Sequence, residues 1–187
     1  LSFSPKGVIG CVGKFLFRLT VLIEVTTLKI VHENVPCWFL DRDGVVIENR
    51  SDYVKSVKEV SYIDRSLVAL RMLASTMGKI ALVTNQSPVG RGIITQEDVD
   101  EINSTIITQV QLEGGRIDGV YVCPHRPNQN CKCRKPETGL LEQGLKQLEI
   151  IVPENCVMIG DNVSDVFAGK EMGMKSILLL SGVTDRE

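Results

Sequence analysis

Asp41 and Asp43 stand two residues apart at the end of a short apolar run, in FLDRDGVV, and Gly44 follows them. At that spacing on extended backbone the two carboxylates point to the same side before the glycine lets the chain turn away. Both can then reach one reacting group. An isolated pair of this kind is also compatible with a helix cap or with loop carboxylates, because Asp readily populates turns. The balance shifts with MIGDNVSD, where a second strand end, Gly160-Asp161, is followed four residues later by Asp165. Carboxylates crowded to ~4 Å repel by roughly 4 kcal/mol per pair at an effective dielectric near 20. A divalent cation relieves that repulsion, and a hard, oxygen-rich site suits Mg²⁺, which combines a few carboxylates with a substrate phosphate. Phosphoryl transfer is the reaction such a site implies. Asp41 is then a carboxylate nucleophile, and Asp43 a general acid toward the leaving oxygen and a base toward water. Thr84 and the neighbouring amides bind phosphoryl oxygens, while Lys135 offsets the repulsion between phosphate and nucleophile.

A second constellation lies in CPHRPNQNCKCRKP, residues 123 to 136. Cys123, His125, Cys131 and Cys133 supply four soft-to-borderline ligands, the number and type of a closed tetrahedral Zn²⁺ site. Free buried thiols fit poorly with Arg126, Asn128, Gln129, Asn130 and Lys132 in the same stretch. A Cys131–Cys133 disulfide needs unusual geometry, and a bridge to Cys123 leaves an odd thiol. Four protein ligands leave no open position for water, so this zinc is structural, and it orders the backbone just ahead of Arg134 and Lys135.

These side chains must be brought together by a fold. Short apolar runs alternate with stretches of helical period from residue 35 onward, which implies an α/β domain with a parallel sheet. The expected strands are Cys37 to Leu40, Ile80 to Val83, Gly119 to Val122, Val157 to Ile159 and Ser176 to Leu180. Expected helices are marked by Leu67, Leu70 and Leu73, by Val99, Ile102, Ile106 and Val110, by Leu141, Leu145 and Leu148, and by Val166 to Met172. Thr95 is the expected N-cap of the second, with Asp98 three residues on. The carboxyl ends of strands in an open parallel sheet line one crevice, so Asp41, Thr84 and Asp161 should converge there. Trp38 and Phe39 are expected in the core, His32 as a surface or packing residue, and Arg91 as either a phosphate contact or a solvated loop arginine.

The 187 residues and 43% hydrophobic content suit a single domain with one core. With 21 Lys and Arg against 23 Asp and Glu, the net charge of −2 offers no basic field for nucleic acid and no polybasic membrane signal. A small-molecule partner and a monomer are expected. The uneven spread of six cysteines reads as a reducing, cytoplasmic setting with one metal site rather than a disulfide scaffold. Residues 1–35 are apolar but interrupted by charges, with no uncharged run of the ~18 residues a membrane span requires, and are read as an appendage to a domain over residues 36–187.

Taken together, FLDRDGVV, VTNQSPVGRG, CRKP and MIGDNVSDVFAG resemble the four motifs of the haloacid dehalogenase-like phosphatases. IENRSDYVKS and the Cys/His loop narrow the resemblance to the branch of heptose bisphosphate and histidinol-phosphate phosphatases. It implies a Rossmann-like three-layer sandwich, without a separate cap domain, acting on a phosphorylated sugar with Mg²⁺ as cofactor and Zn²⁺ in its structural loop. By the same resemblance Asp41, Asp43 and Asp161 hold Mg²⁺, supported by Asp165. Asn49, Asp52 and Tyr53 fall in the sugar-contacting loop. The same resemblance implies that Thr84, Asn85, Gln86, Ser87, Arg134 and Lys135 hold substrate and phosphate; Asn162 stands at a further substrate-contacting position, and Arg91 stays open between a phosphate contact and a solvated loop residue. The chain departs from the usual pattern at Pro88, where a small residue is common, and at Asn162, where many members carry Lys.

Overall fold

A computed structural model describes residues 35–180. The reading of residues 1–35 as an appendage, and His32 with it, therefore lies outside the described residues except at Val35. Five parallel strands, β1 (Cys37–Leu40), β2 (Lys79–Asn85), β3 (Gly119–Cys123), β4 (Val157–Gly160) and β5 (Lys175–Leu178), form one sheet in the order β3-β2-β1-β4-β5. The helices are α1 (Ser66–Ala74), α2 (Ser87–Gly90), α3 (Gln96–Leu112), α4 (Gly139–Gln147) and α5 (Val163–Glu171).

Alternation along the strands sorts the core into two layers. Cys37 and Phe39 of β1, Ala81 and Val83 of β2, Tyr121 and Cys123 of β3, and Met158 of β4 pack with Leu140, Leu141 and Leu145 of α4 and Ala168 of α5. The intervening residues Trp38, Leu40, Ile80 and Leu82 are buried on the other face, where α1 and α3 contribute Leu70, Leu73, Val99, Ile102, Ile106 and Val110. Near-continuous apolar runs are what a sheet covered on both sides requires. All five expected strands and all four expected helices form, with shifted ends. β2 runs on through Thr84 and Asn85, so these residues belong to the strand rather than to the loop after it. β5 stops at Leu178 and is only half-buried, as an edge strand would be.

Local chemistry sets the helix starts. Thr95 caps α3 in a reciprocal box: Asp98 N donates to Thr95 Oγ1 at 3.1 Å and Thr95 N to Asp98 Oδ2 at 2.8 Å. Asn162 and Asp165 make the same arrangement at α5, Ser164 N donating to Asn162 Oδ1 and Asn162 N to Asp165 Oδ2, both at 3.0 Å. Pro88 lies in the first turn of α2, where a missing N–H costs little, and it is buried. Between Asp43 and β2 the chain holds a loop, one 3-10 turn (Val57–Glu59) and α1.

The sheet order reverses direction between β1 and β4, each of which leads into a loop at its carboxyl end. A crevice opens where such a reversal occurs. Asp41 follows β1 and Asp161 follows β4, and Asp41 N donates to Ile159 O at 2.9 Å, joining the two tips directly.

Candidate active site

A cleft of about 430 Å³ opens over this end of the sheet. Of the side chains singled out from the sequence, Asp41, Asp43, Asn49, Tyr53, Thr84, Asn85, Gln86, Ser87, Arg91, Arg134, Lys135, Asp161, Asn162 and Asp165 all line it. Asp52 does not. Its carboxylate is exposed and pairs with Lys55 Nζ at 2.7 Å and Arg50 Nη2 at 3.0 Å, while Arg50 itself faces the cleft.

Lys135 is the electrostatic centre. Only 2% of it is exposed, and its Nζ lies 3.0 Å from Asp41 Oδ1 and 2.6 Å from Asp165 Oδ1, with a further hydrogen bond to Val83 O at 2.6 Å. Burial works to lower the Lys135 pKa, but the two carboxylates outweigh it and the net shift is upward, so the ammonium is held charged. Burial pushes Asp41 up to about 7 despite the pull of Lys135, with Asp165 and Asp43 adding to the rise. Such a carboxyl is only about half ionised near pH 7, and further positive charge beside it would favour the anion. Asp41, Asp161 and Asp165 each offer an oxygen within 4.8 Å of the others. An all-oxygen donor set at a site where burial disfavours the anion fits Mg²⁺. Asp165 spends one oxygen on Lys135 and the other on capping α5, which suits a supporting position beside the ion.

Gly44 makes the approach possible. Its φ is +83°, and a Cβ at this position would run into the Asp161 carboxylate. Asp43 is held differently from Asp41: Gln86 Nε2 donates to its Oδ2 at 2.8 Å and also to Thr84 Oγ1 at 2.8 Å, while Arg42 Nη2 lies 2.9 Å from Oδ2. Asn162 lies at the cleft and commits its side-chain oxygen to the α5 cap.

Arg42 was not among the residues read from the sequence as functional, although it separates the two motif aspartates. Strand alternation was the available signal, since a residue between two side chains that face the cleft must face inward. It is fully buried. Arg50, Pro127 and Ser164 also line the cleft without having been singled out.

The Cys/His cluster forms where β3 ends. Cys123 Sγ lies 3.6 Å from Cys131 Sγ and 3.2 Å from Cys133 Sγ, Cys131 and Cys133 are 3.6 Å apart, and His125 Nδ1 is 3.6 Å from Cys123 and 3.2 Å from Cys133. A tetrahedral zinc with bonds of ~2.3 Å to sulfur and ~2.0 Å to nitrogen sets ligand separations of roughly 3.5–3.8 Å. Three of the five separations match that ion, and the two to Cys133 at 3.2 Å are a few tenths of an ångström shorter, so a small outward shift of Cys133 would admit it. Burial, followed by the neighbouring Cys133, pushes the Cys123 thiol up to about 12, so zinc binding here would release protons. Burial and polarity coexist in the stretch: Cys123 is fully buried and Cys131 and Cys133 pack against the core, while residues 126–130 are exposed. Arg134 Nη1 donates to His125 O at 3.4 Å. A second tie holds the end of the loop, because Lys135 N donates to Asn85 Oδ1 and Asn85 Nδ2 to Lys135 O, both at 3.1 Å. The Lys135–Pro136 peptide is cis.

Comparison with known proteins agrees with this geometry. Residues 132–187 match the family model described as HAD-hydrolase-like. The D-glycero-beta-D-manno-heptose-1,7-bisphosphate 7-phosphatase of Neisseria meningitidis serogroup A is 36% identical over 143 residues, 76% of each chain. The D-glycero-alpha-D-manno-heptose-1,7-bisphosphate 7-phosphatase of Mycobacterium bovis is 38% identical over 133 residues, 70% of this chain and 69% of that one. Among solved structures, D,D-heptose 1,7-bisphosphate phosphatase from B. bronchiseptica, complexed with magnesium and phosphate, superposes with a TM-score of 0.75 at 29% identity, covering 78% of this chain and 81% of that one. The chain belongs to the HAD-like hydrolases, in the family of the D-glycero-D-manno-heptose-1,7-bisphosphate 7-phosphatases.

Proposed function

We propose that the chain is a Mg²⁺-dependent phosphatase that removes the C7 phosphate of D-glycero-D-manno-heptose 1,7-bisphosphate through an aspartyl-phosphate on Asp41. The observation that carries this reading is the ion pair of buried Lys135 with Asp41 at the tip of β1, beside Asp161 at the tip of β4, in a member of this family. Asp41, Asp161 and a backbone oxygen of Asp43, with Asp165 in support, would hold Mg²⁺, which when bound would supply positive charge against the transferring phosphoryl group. An oxygen of Asp41 attacks phosphorus, and Lys135 holds that carboxylate in place while drawing phosphoryl charge toward itself. Thr84 and the amides near Ser87 bind the remaining phosphoryl oxygens. Asp43 gives a proton to the departing sugar oxygen and then takes one from the water that releases phosphate.

A bisphosphate brings a second phosphate, and Arg50, Arg91 and Arg134 at the cleft match it in charge. Asn49 and Tyr53 meet the sugar. Zn²⁺ at Cys123, His125, Cys131 and Cys133 is structural. The cytoplasm is the setting that keeps such thiols reduced, and no helix among the described residues is long and apolar enough to cross a membrane.

The test is phosphate release, with Mg²⁺ present, from both anomers of the heptose bisphosphate and from histidinol phosphate as the control ester. One phosphate should leave the heptose substrate, histidinol phosphate should be turned over poorly, and Asp41→Asn should lower the rate by about 10⁴-fold or more with the fold intact. Retained turnover in that variant would sink the assignment, as would faster hydrolysis of histidinol phosphate.

A further inference from the structure

Arg42 is the largest fully buried side chain among the described residues, and it is charged. Burying a guanidinium is costly, and a leucine or methionine would fill the same space without that cost. Its hydrogen bonds indicate what it does there. Nη1 donates to Asn103 Oδ1 on α3 at 3.0 Å, and Asn103 is itself 5% exposed. The rest of the fork meets Asp43: Nε donates to Oδ2 at 3.1 Å and Nη2 to Oδ1 at 3.2 Å, with Nη2 also 2.9 Å from Oδ2. Gln86 Nε2 adds a donor to Oδ2 at 2.8 Å. Oδ2 therefore faces three donor nitrogens, whereas Oδ1 has one, at the longest of these distances. A planar fork anchored at its far end fixes the rotation of a carboxylate as well as its position, which a lysine ammonium cannot do.

We propose that Arg42, braced by Asn103, is a positioning residue that aims Asp43, holding Oδ2 and leaving Oδ1 to carry the proton to the leaving group. This rests on the phosphatase reading above. As Asp41 forms its bond to phosphorus and the phosphorus–sugar oxygen bond breaks, the proton on Asp43 Oδ1 passes to that sugar oxygen. In the second half Oδ1 takes a proton from water while the water oxygen bonds phosphorus, and the Asp41–phosphorus bond breaks to give inorganic phosphate. A misaimed Asp43 slows the first half only when the leaving oxygen needs a proton. A sugar alkoxide needs one, and p-nitrophenolate does not.

The experiment compares kcat/KM, which reports on steps through loss of the leaving group, for heptose 1,7-bisphosphate and for p-nitrophenyl phosphate. Arg42→Lys and Asn103→Leu should each lower the value for the sugar ester by about 100-fold and for the aryl ester by no more than about fivefold. Asn103→Asp, which keeps the acceptor for Nη1, should stay close to wild type on both. Circular dichroism establishes that each variant is folded; if Asn103→Leu is not, Arg42→Lys and Asn103→Asp decide. Equal losses on both esters in folded variants, or no loss on either, would overturn the aiming role and leave the phosphatase reading standing. A wild-type chain that hydrolyses neither ester with Mg²⁺ removes the phosphatase reading, and the aiming role with it.

Discussion

Two clusters within one loop's length of each other solve the same problem by opposite chemistry. At Cys123, His125, Cys131 and Cys133 the donors are soft, they close around one point, and burial keeps the Cys123 proton on up to about 12. At Asp41, Asp161 and Asp165 the donors are hard, they open onto a cleft, and burial lifts Asp41 to about 7. Each cluster needs a cation to displace a proton. They differ in what stands beside them. The thiol cluster has core packing as its support, whereas the carboxylates have Lys135, already charged and inserted between two of them. A closed soft site can only hold a loop, while an open hard site with its own ammonium can bind a substrate anion and act on it.

The contrast breaks most severely at Lys135. Lys135→Met should abolish phosphate release and lower the stability of the metal-free protein by about 3–5 kcal/mol, because it leaves buried Asp165 without its cation. Denaturant unfolding would read this, and added Mg²⁺ should restore part of the loss. Next come the two supports of the loop. Cys131→Ser should remove zinc, measured as metal content per chain, and lower turnover by about tenfold. Asn85→Ala cuts the other tie. With both gone the loss should exceed the product of the single losses, since either tie alone still holds the backbone of Lys135.

A proton tests the hard cluster separately. Mg²⁺ binding requires ionised Asp41, whose pKa in the metal-free fold is about 7, so affinity should fall by up to about tenfold per unit as pH drops below that value. Calorimetric titration on either side of neutrality measures it, and a pH-independent affinity would place Asp41 outside the ligand set. The smallest effect belongs to a residue outside both clusters: Thr95→Ala should cost about 1 kcal/mol through the α3 cap, with kcat unchanged.

Much of the site was legible because the chemistry sits at strand ends, and strand ends are where short apolar runs stop. Asp41, Asp161 and Lys135 could be named from type and spacing, and the capping box at Thr95 and Asp98 from its pattern. What escaped was pairing across long separations. Nothing local to Arg42 reveals that its guanidinium meets Asn103, and nothing near Asn85 reveals that its amide closes on the backbone of Lys135, fifty residues away. Asp52 misled for the opposite reason, because the side-chain direction in that loop is set by Arg50 and Lys55 rather than by its place in a motif. The left-handed backbone of Tyr53, at φ 67°, likewise has no glycine to announce it.

The double tie on the Cys/His loop has a consequence for length. Its ends are secured, at His125 by the cluster and at Lys135 by Asn85, while residues 126–130 between them lie exposed. Closing a flexible segment costs only ~0.6 kcal/mol more for each doubling of its length. Insertions after Asn128 would therefore extend into solvent at little thermodynamic expense, without shifting the ammonium that meets Asp41. Pro127 borders the cleft, so such a change alters what can enter while the chemistry beneath it stays the same.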